Sequence, residues 1–165
     1  MCMKEQVVKG VVNMGNTSDF TFEDMHKIKR KSLGNMVPLE LFRSIRLIGM
    51  YQGLPLNGKG TTSVIGKKIG SSLPVNTVDE VFQLFQQLKI GIPSIISQNK
   101  RGMRIAVDDC FCEGLPVTQG KFVCDLEGAI FEGVLNKILN RNTSVREIKC
   151  NVNGDEHCEY EVRYL

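Results

Sequence analysis

The spacing of apolar residues in this chain changes at residue 92, and that change limits the fold more than any other feature. Up to there the period is helical. Pro38, a residue tolerated at a helix start, precedes residues 39–51, where Leu41, Phe42, Ile45, Ile48 and Gly49 fall on one stripe. A turn at 55–60 leads to a second helix over 61–72, in which Gly66 and Gly70 are spaced for close packing. Thr77, with Glu80 three residues on, reads as the N-cap of a third helix over 78–89, whose apolar stripe is Val81, Phe82, Phe85 and Leu88. From 92 onward two short runs, 92–98 and 102–108, flank Asn99-Lys100-Arg101. In the second, Met103, Ile105 and Val107 alternate with Arg104 and Ala106, which predicts a hairpin. Helical spacing returns over 122–140, where Val123, Leu126, Ile130, Phe131, Val134, Leu135 and Ile138 cover a wide stripe. A second hairpin, 143–150 and 158–164, closes around Asn153-Gly154-Asp155. Helices followed by β-β-α-β-β predict an α+β fold, an antiparallel sheet of about four strands packed with several N-terminal helices. A β-branched run at 5–12 predicts one more short strand.

The 165 residues fit one domain spanning 1–165. A chain of roughly 150 residues buries about 70% of its unfolded surface, so its core needs no covalent staples. No run approaches the ~18 apolar residues of a membrane span, and the first residues lack the apolar core of a signal peptide. A cytoplasmic protein without a membrane partner is expected. The net charge of +3 and the cluster Lys27, Lys29, Arg30, Lys31, with no interleaved aromatics, read as a solvated face, and no nucleic-acid partner is expected. Gly53 to Gly60 approaches a phosphate-binding loop. However, Gly60 stands where that loop needs Ser or Thr to hold magnesium, and a helix precedes it where a buried strand is required, so a helix–helix turn is the better reading.

Cysteines stand at 2, 110, 112, 124, 150 and 158. In a reducing compartment such thiols are buried small hydrophobes, catalytic groups or metal ligands. Cys124 falls in the first turn of the long predicted helix, where the helix N-terminus favours a thiolate. Cys150 ends one predicted strand and Cys158 begins the next, and the odd number of residues between them lets the two face each other in a hairpin centred on Gly154. Facing thiols form a disulfide or, more commonly in the cytoplasm, bind a metal. Zinc takes four tetrahedral ligands, and the fourth candidate is either Glu147 or His157. In a flat strand both point away from their neighbouring cysteines, so one of them needs a bulge or a strand end. Cys110 and Cys112 read as ordinary thiols near a loop, and Cys2 as part of a frayed terminus.

Three stretches are familiar together: Phe122-Val123-Cys124-Asp125-Leu126-Glu127-Gly128-Ala129-Ile130, then Val145-Arg146-Glu147-Ile148-Lys149-Cys150, then Asn153-Gly154-Asp155-Glu156-His157-Cys158-Glu159-Tyr160-Glu161-Val162. A cysteine before a glycine-containing helix, Glu-x-x-Cys, an Asn/Gly-rich turn and Cys-x-Tyr-x-Val resembles the 4-vinyl reductase domain family over roughly 105–165. These are described as predicted hydrocarbon-binding or small-molecule-binding domains, and this chain resembles a stand-alone archaeal-type member. The resemblance implies a fold related to subunits of a Golgi vesicle-tethering complex and to a haem-based gas sensor. It also implies kinship with effector domains that respond to phenol and other aromatics. It implies a zinc ion held by Cys124, Glu147, Cys150 and Cys158, which favours Glu147 over His157, and a strand that becomes irregular after Glu147. A four-ligand site is closed, hence structural. Its formal charge of about −2 follows from ligand ionisation, with Lys149, Arg146 and Lys121 near enough in sequence to offset it.

The expected function is binding or sensing of an apolar small molecule, a hydrocarbon or an aromatic, by a homodimer with a structural zinc. Candidate pocket residues are Phe85, Met103, Ile105, Val107 and Phe131, which would otherwise fill a solid core. One alternative is a dimeric interaction or scaffold protein like the tethering subunits, which predicts exposed apolar helix faces. Another is an accessory protein of tetrapyrrole vinyl reduction. No nucleophile–base pair, dinucleotide fingerprint or pair of acid/base carboxylates is visible, so no enzyme activity is expected.

Overall fold

The computed structural model describes residues 20–165. The predicted strand at 5–12 and Cys2 lie outside them. Both hairpins form where the period-2 pattern places them. Strands β1 (Ile92–Asn99) and β2 (Gly102–Asp108) make the first, β3 (Thr143–Lys149) and β4 (Cys158–Tyr164) the second. The two join into one antiparallel sheet in the order β1-β2-β4-β3. Ile105 of β2 lies opposite Tyr160 of β4, and Val145 of β3 opposite Val162.

One face of this sheet is covered by α3 (Val78–Gln87) and α4 (Asp125–Leu139). Met103, Ile105 and Val107 join Phe85, Phe131, Tyr160 and Val162 in a continuous buried cluster. The rings of Phe85 and Phe131 stack at 4.3 Å, and Phe131 meets Tyr160 edge-on at 5.4 Å. Thr77 caps α3 as expected, its Oγ1 accepting from the Glu80 N–H at 3.2 Å. Glu80 reaches back to the Asn76 N–H at 2.6 Å, one residue earlier than in the usual reciprocal box.

Helix α2 (Lys59–Ser72) lies along α4. The close approach rests on the glycines the sequence pointed to. A Cβ at Gly66 would strike Ala129 and the Leu126 carbonyl, and one at Gly70 the Ile130 carbonyl and Val134 N; Gly133 of α4 sits equally close on Lys67. The segment before α2 is a left-handed turn, with φ of 51, 55 and 71° at Leu56, Asn57 and Gly58. Residues 53–60 therefore connect two helices, in agreement with the rejection of a phosphate loop.

The first helix departs from its prediction. Helix α1 (Leu39–Arg43) runs on into a π-helical segment, Ser44–Gln52. The wider π turn rotates later side chains away from the 3.6-residue pattern. Of the predicted stripe only Phe42 packs inward, edge-on to Phe111 at 5.3 Å. Leu41, Ile45 and Ile48 are 49%, 53% and 63% exposed, and the buried residue is Arg46. Among the described residues, no helix is long and apolar enough to cross a membrane.

Candidate metal centre

Five buried cysteines converge at one end of the sheet, at the N-terminus of α4. Their positions follow from three local features. First, α4 begins later than the apolar pattern predicts, at Asp125, because Cys124 is its N-cap residue with φ −102° and ψ 32°. Cys124 is fixed from both sides. Its carbonyl accepts from the Tyr160 hydroxyl at 3.0 Å, and its N–H donates to Glu147 Oε2 at 3.0 Å.

Second, the β3–β4 ladder carries a bulge. Glu147 pairs with Tyr160 but Lys149 pairs with Glu159, so Ile148 is the extra residue. One inserted residue reverses the side-chain alternation. Glu147 and Cys150, three apart and opposed in a flat strand, are thereby turned to the same side. This is the irregularity the family resemblance implied. His157 is directed elsewhere, 3.6 Å from Glu159.

Third, a tight turn joins the strands. Residues Asn151–Asn153 form a single 3₁₀ turn, Gly154 has a φ of 100°, and the Cys150 N–H donates to Asp155 at 2.9 Å. The loop after β2 is stitched to this turn: the Thr118 N–H donates to the Val152 carbonyl, and the Gly120 N–H to Asn153 Oδ1, each at 2.7 Å. That loop delivers Cys110 and Cys112, which sequence reasoning set aside as ordinary thiols. Their only signal was Cys-x-Cys spacing at a strand end.

Donor atoms of Cys124, Glu147, Cys150 and Cys158 all lie within 4.8 Å of one another, and so do those of Cys110, Cys112, Cys124 and Cys158. Cys124 Sγ is 3.6 Å from Cys158 and 4.0 Å from Cys150. Four sulfurs at a Zn–S distance of about 2.3 Å would be about 3.8 Å apart, so the observed separations suit a tetrahedral ion. The carboxylate fits as well. Glu147 Oε1 is buried without a hydrogen-bond partner, an orphan acceptor of the kind a cation satisfies. Burial, reinforced by Cys150, pushes the Glu147 carboxyl up to about 10. Within the thiol cluster, burial pushes Cys124 well up. Cys112 opposes ionisation of Cys150, but Cys124 and Cys158 outweigh it and draw that thiol down to about 6.

The basic residues expected to offset the charge are engaged elsewhere. Lys149 pairs with Glu159 at 2.8 Å, Arg146 with Glu161 at 3.6 Å, and Lys121 lies over the Tyr51 ring. The cation beside the site is Arg46, which the sequence did not single out. Its guanidinium donates to the Val123 carbonyl and to Glu127, each at 2.9 Å, and all three residues are buried. The two partners respond oppositely. Burial disfavours the Arg46 charge but Glu127 outweighs it and holds the guanidinium up, whereas for Glu127 burial wins over Arg46 and raises the carboxyl. The close, well-directed contact argues for an ion pair.

The proposed pocket residues Phe85, Met103, Ile105, Val107 and Phe131 are brought together, but within the buried cluster. Beside the metal-ligand candidates a cleft of about 340 Å³ opens between α2, α4 and β3, lined by Thr62, Phe122, Gly128, Val145 and Glu147 among others.

Residues 103–164 match the model of the 4-vinyl reductase domain. The chain is also 32% identical over 143 residues to the uncharacterized Methanocaldococcus jannaschii protein MJ0150, covering 81% of this chain and 79% of that one. The chain belongs to the 4-vinyl reductase domain family. Its fold is similar to that of a vinyl-4-reductase family protein from the same organism (TM-score 0.62, 19% identity, 87% of each chain). It is similar to trafficking protein particle complex subunit 3 of Naegleria fowleri, solved covalently bound to palmitic acid (TM-score 0.61, 13% identity, 77% of this chain and 92% of that one). It is also similar to the phenol-responsive sensory domain of the transcription activator PoxR, solved with phenol (TM-score 0.57, 13% identity, 78% and 75%).

Proposed function

We propose that this chain is a binding module and not an enzyme: a sensor-type domain for an apolar small molecule, held in shape by a structural zinc ion at Cys124, Glu147, Cys150 and Cys158. The observation that carries the metal is the convergence of four donors from the α4 N-cap, the β3 bulge and the start of β4, including a buried carboxylate oxygen with no other partner. When bound, zinc would supply charge neutralisation and a cross-link. The chain's own residues do the positioning: Tyr160 holds Cys124, Asp155 holds Cys150, and Cys124 N–H orients Glu147.

The ligand class follows the fold likeness, since one neighbour was solved with phenol and another with a fatty acid. Phe85, Met103, Ile105, Val107 and Phe131 supply the apolar surroundings such a molecule requires. Two measurements test the reading. Metal analysis of the purified protein should find zinc that Glu147→Gln or Cys150→Ser diminishes, and protein devoid of metal after purification without chelator overturns the zinc assignment. A thermal-shift series of the metal-loaded protein with phenol, alkylphenols and palmitate should raise the melting temperature with concentration for one class. No response to any of them overturns the ligand assignment.

A second reading, a dimeric interaction protein, is favoured by the outward Leu41, Ile45 and Ile48. Light scattering distinguishes them: a dimer that Ile45→Asp and Ile48→Asp dissolve without unfolding supports an interface on that face.

A further inference from the structure

We infer that the cysteine cluster holds two metal ions, the second bound by Cys110 and Cys112 and sharing the thiolates of Cys124 and Cys158 with the first. The inference rests on the reading of Cys124, Glu147, Cys150 and Cys158 as a metal site and extends it.

The six donors divide into two sets of four that have Cys124 and Cys158 in common. The shared sulfurs are 3.6 Å apart. Around them, Cys112 Sγ lies 3.3 Å from Cys124 and 3.4 Å from Cys158, and Cys110 Sγ lies 3.6 Å from Cys124. Each is near the ~3.8 Å edge of a sulfur tetrahedron about a zinc-sized ion. The arrangement is thus two tetrahedra joined along the Cys124–Cys158 edge. Cys110 and Cys112 are the outer pair of one, Glu147 and Cys150 the outer pair of the other.

A single tetrahedral ion uses four donors and leaves two buried groups over. If it takes the glutamate set, Cys110 and Cys112 remain 3% and 0% exposed against its thiolates. If it takes the four-cysteine set, Glu147 keeps its buried oxygen unpartnered. Two ions use all six. A thiolate sulfur has lone pairs enough to bridge, and bridging lets two divalent ions neutralise most of the charge of five thiolates and a carboxylate in a buried place. Loading is balanced by protons alone: each thiol, and Glu147 where protonated, releases its proton to solvent as it becomes a ligand, with no change of oxidation state. The fold provides for the extra pair. Asp109, at a φ of 49°, turns the chain at the end of β2 so that Cys110 and Cys112 point back under the α4 N-terminus, and the side chain of Asn151 accepts from Cys112 at 3.6 Å and from Cys158 at 3.4 Å.

The test is native mass spectrometry of the full chain, purified with a reductant, loaded with zinc and freed of excess by gel filtration, together with X-ray absorption at the zinc edge. Two zinc ions per chain and a metal–metal scattering path are expected. The double variant Cys110→Ser/Cys112→Ser should hold one ion and lose that path. Wild-type protein with one ion and no metal–metal path overturns the second site and leaves the glutamate site standing; protein with no ion overturns both. A folded double variant that keeps two ions also overturns the inference. If the double variant does not fold, the wild-type stoichiometry and scattering path decide alone.

Discussion

Arg46 shows how much one side chain can organise. It is buried, yet it carries a charge to Glu127 and a hydrogen bond to the Val123 carbonyl, the residue before Cys124. Apolar spacing on its own helix pointed the other way, because the partners that make an inward arginine tolerable lie 77 and 81 positions further along. Removing one member of a buried pair leaves the other charge uncompensated, which costs about 3–5 kcal/mol. Arg46→Met should lower unfolding stability by that order in urea titration. Arg46→Met/Glu127→Leu should recover most of it, and a double variant no better than the single would show that the pair is not what matters. Ile148 is the opposite kind of residue. Its side chain carries no chemistry, but as the inserted residue of the β3 bulge it decides that Glu147 and Cys150 share a face.

Among the elements, the α2–α4 pair and the π-helical segment mark two ways a helical pattern meets its surroundings. In α2 the glycine spacing was readable because only a missing side chain permits such an approach, and Gly70 lies directly against the α4 backbone. Gly70→Ala should destabilise by about 1–3 kcal/mol, since neither the Ile130 carbonyl nor Val134 N can move aside cheaply. Gly60→Ala in the same helix meets nothing within 4 Å, so by helix propensity it should be neutral or stabilise by up to ~1 kcal/mol. Equal effects in thermal unfolding would argue against close helix contact. In the π-helical segment the 3.6-residue assumption failed, and with it the assignment of the inward face.

For the molecule as a whole, the sulfur cluster links the start of α4 to the second hairpin and to the loop after β2, three regions otherwise joined mainly through the core. A metal at about 100 times its dissociation constant adds about 2.7 kcal/mol to stability, which in a domain of this size is on the order of 5–10 °C. Chelation under reducing conditions should lower the melting temperature by that order, and zinc should restore it. Unchanged melting after verified metal removal would show that the core alone fixes this region. The competing support is the cluster of Phe85, Phe131 and Tyr160, which is extensive without the metal.

Periodicity, turn residues and cysteine spacing were enough to establish the order of elements, both hairpins, the capped third helix and the α2 glycines. All of these depend on neighbours within a few positions. The pairing of Cys150 with Cys158 belongs with them, since one hairpin fixes it. Resemblance to a family added Glu147 and the irregular strand. The inclusion of Cys110 and Cys112, the inward Arg46 and the close packing of the expected pocket residues came only with the tertiary structure. Each depends on groups far apart in the chain that meet through sheet order and helix packing, and local spacing carries no record of such meetings.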